Sequence, residues 1–93
     1  MAEVSWADQA LQNLEDIRLY IGIDNPFAAG RVAAALIVAA ESLCALPDRG
    51  RAIGGGAREL THMRPYIIRY RHDPEHGVVE ILAVWHGARS RLP

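Results

Sequence analysis

Ten arginines and four histidines are the side chains in this sequence best suited to bind or cleave an anionic partner, and there is no lysine. A guanidinium presents a planar fork of donors that matches phosphate or carboxylate, and it never serves as a neutral base. Proton transfer near neutral pH therefore falls to histidine. His86, which closes an apolar run, is the candidate acid or base. The alternative role for it is packing beside Trp85. His62, His72 and His76 have no spacing to cysteine or acids that makes a metal site, and the turn histidines read as solvent-exposed. Arg69 and Arg71 alternate on one strand, where they either meet an anionic partner or form a solvated edge.

The cationic side chains are not spread evenly. Through Asp48 there are seven acids and two arginines, a net of −5; from Arg49 onward there are eight arginines and four acids, a net of +4. An acidic half followed by a basic half suits an anionic partner for the second half, nucleic acid or an acidic protein tail alike. The glycine run Gly54-Gly55-Gly56 lacks the lysine and following Ser or Thr of a phosphate-binding loop, so it reads as a mobile loop.

With 93 residues, the chain is one domain, residues 1–93, with one modest core. No uninterrupted apolar run approaches the roughly 18 residues that span a bilayer. Glu3 and the lack of an early basic cluster argue against a signal peptide. Cys44 is the only cysteine, so no intrachain disulfide forms, and these features together point to the cytoplasm.

Residues 2–5 alternate like a short edge strand. Trp6, Ala10, Leu11, Leu14, Ile17 and Ile21 then recur at helical spacing, with Ser5 and Asp8 as capping candidates and Gly22 as the stop. Asn25 and Pro26 suit the N-cap and first position of a second helix. That helix runs to about Leu46, with Val32, Leu36, Ile37, Ala40, Leu43 and Cys44 on one face. Residues 58–63, 65–71 and 78–86 read as strands. In the last, Val79, Ile81, Ala83 and Trp85 share one face, and both faces are apolar enough for a central position. The expected fold is α+β: a short N-terminal strand, then an antiparallel helix hairpin packed on a C-terminal antiparallel β-meander.

This order, with these residues, resembles the RelE/ParE toxins of type II toxin–antitoxin systems. The matching pieces are Val4-Ser5-Trp6, Asp24-Asn25-Pro26, Leu46-Pro47, Gly50-Arg51, Arg58-Glu59-Leu60, Pro65-Tyr66-Ile67-Ile68-Arg69-Tyr70, Val79-Glu80-Ile81-Leu82 and Val84-Trp85-His86-Gly87-Ala88-Arg89. The resemblance implies a cognate antitoxin, a toxin–antitoxin hetero-oligomer, no cofactor or metal, and no membrane. It also implies one of two targets. RelE-type members are metal-independent endoribonucleases that cut messenger RNA on the ribosome; ParE-type members inhibit DNA gyrase.

Carried over by position, nuclease roles fall on Arg58, on His86 and near Arg89. Ile67 stands where the RelE pattern places an arginine, Gly87 where it places a basic residue, and no C-terminal tyrosine is present. The set is partial, so the resemblance leans toward a ParE-like gyrase inhibitor that is not an enzyme. A RelE-like nuclease and a non-toxic antitoxin-binding module remain the alternatives. Arg58, Arg69, Arg71 and Arg89 are the candidate partner- or target-binding residues. Two surfaces could take the antitoxin: the hairpin around Tyr20, Ile23 and Phe27, with Phe27 more readily assigned to the core, and a sheet edge over residues 58–63.

Overall fold

The computed structural model describes residues 1–87. Its elements are β1 (Glu3–Trp6), α1 (Asp8–Asp24), α2 (Pro26–Glu41), a 3₁₀ turn (Ser42–Cys44), β2 (Arg51–Gly54), β3 (Ala57–Leu60), β4 (Tyr66–Asp73) and β5 (Val78–His86). The five strands form one sheet in the order β1-β5-β4-β3-β2. Neighbours from β2 to β5 are antiparallel, and β1 lies parallel to β5. The α+β architecture and the central place of β5 are as the sequence suggests.

The helix boundaries follow local chemistry, with two differences. Asn25 caps α2 as expected, its side-chain oxygen accepting the Ala28 N–H at 3.0 Å, with Pro26 in the first turn. The N-cap of α1 is Ala7, which offers no side-chain cap, so neither Ser5 nor Asp8 plays that part. Gly22 does not stop α1. The helix passes through it to Asp24, and a Cβ there would meet Ala29 at 3.7 Å, so glycine lets α2 lie close.

The second helix ends at Glu41 and tightens into the 3₁₀ turn before Leu46. Its buried face is Ala29, Ala33, Leu36, Ala39 and Ala40, continued by Leu43; Ile37 lies on the exposed side. Pro26–Cys44 is 19 residues long and, by length and composition only, apolar enough to cross a bilayer. Counting uninterrupted apolar residues misses this, because Gly30, Arg31 and Glu41 break the run.

The stretch before β3 is not a mobile loop. Residues 51–54 form β2, and Gly54, Gly55 and Gly56 all take positive φ in the turn that returns the chain as β3. Only glycine adopts three such angles in succession at little cost. The added strand changes the sheet edge. β3 ends at Leu60 and pairs on both sides, so the edge expected over 58–63 does not exist; β1 and β2 are the edges.

The core lies between one sheet face and the hairpin. Leu60, Ile68, Tyr70, Val79, Ile81 and Val84 meet Ala10, Leu36, Ala39, Ala40 and Leu43 there. Val84 belongs to this face because of a bulge. Arg69 pairs with Ala83 but Tyr70 with Ile81, which leaves Leu82 as the extra residue. The bulge inverts the alternation, so Trp85 lies on the face opposite Val79 and Ile81, contrary to the strict period of two. The Asn13 side-chain oxygen on α1 accepts the Val84 N–H at 3.1 Å just past the bulge. Asn13→Ala leaves that group without its partner and is expected to cost about 1–3 kcal/mol. A urea unfolding curve checks this, and an unchanged midpoint would show that the bond contributes nothing.

Candidate functional site

The pairing register sorts the candidate residues onto two faces. Leu60 opposes Ile68, and Arg58 opposes Tyr70, so Arg58 shares the helix-side face. Glu59 opposes Arg69 and Ala57 opposes Arg71, which puts both of those arginines on the far, open face. His86 opposes Tyr66, in line with Val84 opposite Ile68, and so lies on the helix side. Arg89 lies outside the described residues.

On the helix side Arg58 acts as a strap. Its Nη1 donates to the Gly50 carbonyl at 2.7 Å and the Asp48 carbonyl at 3.2 Å, and its Nε lies 3.5 Å from the Asp48 carboxylate. Its neighbour in sequence, Glu59, faces the other way. His72 is on β4 rather than in the turn, half-buried, with Nδ1 3.0 Å from Asp48 Oδ1. The Tyr70 hydroxyl accepts the Gly50 N–H at 2.9 Å. Burial pushes the Tyr70 phenol up from its ordinary value, and the Gly50 bond opposes that only in part. Together these contacts fasten the 48–50 segment to the sheet.

His86 packs edge-on against Tyr66, with ring centroids 5.5 Å apart at 83°. It does not pack beside Trp85, which the bulge has moved to the opposite face. The Gly87 N–H donates to the Pro65 carbonyl at 2.8 Å and secures the end of β5.

The open face centres on Glu59, to which the Arg58-Glu59-Leu60 motif gave no role. Glu59 is 6% exposed. Its Oε2 accepts from Arg69 Nη2 at 2.9 Å and its Oε1 from Arg51 Nη2 at 3.2 Å. The Arg69 guanidinium also lies 5.0 Å from the centroid of Trp85, a cation–π contact. Arg71 donates to the Gly55 carbonyl at 2.7 Å. Arg69 and Arg71 are therefore not a solvated edge: β4 is an interior strand, and both guanidinium groups have partners within the chain. Glu59 was legible only as an acid flanked by arginine-bearing strands, and its burial depends on a register that a strand taken alone does not show.

One acidic turn gathers more than its spacing suggests. Asp73, Glu75 and His76 bring possible metal-ligand atoms within 4.8 Å of one another. His76 Nδ1 is 2.7 Å from Asp73 Oδ2, and that bond holds the Asp73 carboxyl below its ordinary value. The sequence spacing gave no sign of such a group, because the turn folds the three together.

Metal-free phosphodiester cleavage requires an acid or base and cationic donors converging on one phosphate. The described residues do not converge in this way. Arg69 and Arg71 lie across the sheet from Arg58 and His86. On the shared face, Arg58 and His86 oppose Tyr70 and Tyr66, four residues apart on β4, or about 13 Å along the strand.

Comparison with known proteins places this arrangement in a family. The model for the ParE toxin of the type II toxin–antitoxin system parDE matches residues 4–91. The chain is 45% identical over 89 residues to "Toxin RelE2" of Caulobacter vibrioides, covering 96% of this chain and 99% of that one. It is 40% identical over 85 residues to "Putative toxin Y4kP" of Sinorhizobium fredii, covering 89% and 85%. Among solved structures it resembles the toxin–antitoxin complex RelBE2 from Mycobacterium tuberculosis, with TM-score 0.72, 27% identity, and coverage of 91% and 96%. It shares its fold with a chain of the chromosomal ParDE system from P. aeruginosa, with TM-score 0.79, 22% identity, and coverage of 92% and 96%. On the full-length family match and the close relatives, the chain belongs to the ParE toxin family of type II toxin–antitoxin systems, within the RelE/ParE superfamily.

Proposed function

We propose that this toxin acts in the cytoplasm as a ParE-like inhibitor of DNA gyrase, by binding rather than by cleavage, and that a cognate antitoxin neutralises it in a hetero-oligomer. The carrying observation is where the cationic side chains are committed. Arg58 is strapped to backbone carbonyls on one face, while Arg69 is held by Glu59 and Trp85 on the other. A guanidinium committed to a buried carboxylate and an aromatic ring holds a surface in shape more readily than it stabilises a developing phosphorane. The parDE family match supports the gyrase side of the reading. The RelBE2 relative, solved as a complex with its antitoxin, supports the partner.

The test is a supercoiling assay. Purified chain titrated into gyrase is expected to block supercoiling near stoichiometric amounts, and equimolar antitoxin is expected to restore it. Full supercoiling in stoichiometric excess of the chain would overturn the reading. Ribosome-dependent cleavage of messenger RNA would replace it with a RelE-like nuclease. Induction without growth arrest would leave an antitoxin-binding module.

A further inference from the structure

The tip of the helix hairpin is apolar and faces solvent. Phe27, in the first turn of α2, is 83% exposed, so it is not the core residue that the sequence suggests. Ile23, near the end of α1, is 80% exposed. Large apolar side chains gathered at one exposed place mark a contact with another molecule. Gly30 points the same way. Glycine is a poor helix former, yet Gly30 sits inside α2, and an added Cβ would meet nothing within 4 Å. Gly22 has a reason within the chain, the approach of Ala29; Gly30 has none among the described residues. A helical glycine beside open space suits the close approach of a second surface. With Pro26, Phe27 and Arg31 it lines an open hollow of about 430 Å³.

The charges at the tip select the occupant. Asp24 closes α1, and Arg31 follows Phe27 by one helical turn on the same face of α2. Both are exposed, and neither forms an ion pair among the described residues. A surface shaped for an acidic or a basic partner carries one sign of charge. This one carries both signs, one before Phe27 in sequence and one after it, and so is complementary to itself. A two-fold axis through the tip sets Arg31 of each copy toward Asp24 of the other, and each Phe27 ring toward the other copy's Gly30 hollow. We propose that the hairpin tip is a homodimer contact, occupied by a second copy of this chain, in which Phe27 fills the Gly30 hollow and Arg31 meets Asp24 reciprocally. The patch is small, so the dimer is weak and depends on concentration. The inference goes beyond the toxin reading and stands or falls independently of the target and of the antitoxin.

The test is sedimentation of the full chain, free of antitoxin. Over roughly 1–500 µM it is expected to show a monomer–dimer equilibrium with Kd on the order of 10–100 µM. Monomer throughout would overturn the assignment. Phe27→Glu is expected to weaken the dimer about 100-fold. Gly30→Met fills the hollow with a good helix former, so it should melt no lower than the unaltered chain yet dimerise about 10-fold more weakly. A dimer that persists unchanged in both variants would place the contact elsewhere and overturn the assignment too. Arg31→Glu and Asp24→Arg should each lose about 10-fold alone, because like charges then oppose each other at both ends of the contact. Mixed in equal amounts, the two variants pair opposite charges at both ends and should recover the unaltered affinity. No recovery in the mixture would overturn the reciprocal pairing. These positions are exposed, and a thermal scan of each variant checks that it keeps its fold.

Discussion

Gly50→Ala is expected to lower the melting temperature by roughly 10–20 °C, because among the glycines of the described residues it is the one whose added Cβ meets the closest atoms. A Cβ at position 50 would sit 2.7 Å from the Tyr70 hydroxyl, 2.8 Å from its ring and 2.9 Å from the Glu59 carbonyl. None of these can move easily. Tyr70 is fully buried, and the Glu59 carbonyl belongs to an interior strand. The methyl therefore forces the 48–50 segment off the sheet, breaking the Gly50–Tyr70 bond and slackening the Arg58 strap. Overpacking and one lost buried hydrogen bond together amount to about 2–4 kcal/mol. That is a large share of the total stability of a domain this size. Tyr70→Phe isolates the bond from the crowding and should cost about 1–2 kcal/mol. A melt of Gly50→Ala indistinguishable from the unaltered chain would show that the segment yields freely.

The same tyrosine sets a pH dependence. Burial raises the Tyr70 phenol above its ordinary value of 10.0, so the folded state holds this proton more tightly than the unfolded chain. Its contribution is fully present below pH about 10 and is lost as pH rises through the folded-state value. Tyr70→Phe should flatten the alkaline limb of the stability curve.

Glu59→Ala is expected to cost about 2–3 kcal/mol and to change the open face chemically. Removing one member of a well-buried ion pair leaves the other charge without its counterion, a loss of roughly 3–5 kcal/mol when both are buried. Here the arginines are partly wet, with Arg69 31% and Arg51 70% exposed at the side chain, so solvent screens part of that loss. Arg69 Nε already lacks a partner in its buried position, and losing the carboxylate removes the main acceptor holding that guanidinium. A double-mutant cycle with Arg69→Ala measures the coupling. The double variant should be less destabilised than the two single losses summed, and strict additivity would mean that the pair is not coupled. The freed arginines should also raise salt-sensitive binding to nonspecific DNA.

Much of the fold was legible because it depends on neighbours in the chain. Apolar spacing of three and four marks α1, the Asn25-Pro26 step caps and starts α2, and the β-branched run of β5 marks a buried central strand. The family was legible for the same reason: its motifs are short local strings spread along the whole chain. β2 was missed because Arg-Ala-Ile-Gly carries no apolar alternation, and its four residues are held only by pairing with β3. Trp85 was placed on the wrong face because one bulged residue, Leu82, reverses every position after it, and bulge formation depends on β4 and on Asn13.

The arginines divide along the same line. Their number and their concentration in the second half are facts of composition, and they suit a protein that meets charged partners. Which of them are available to a partner is a matter of register. The pairing of β3 with β4 puts Arg58 and Arg69 on opposite faces and buries Glu59 beneath two guanidinium groups. Local periodicity depends on nearby residues and so can be read along the chain. The pairing of charges across a sheet depends on residues far apart in sequence, and only the assembled tertiary structure brings them together.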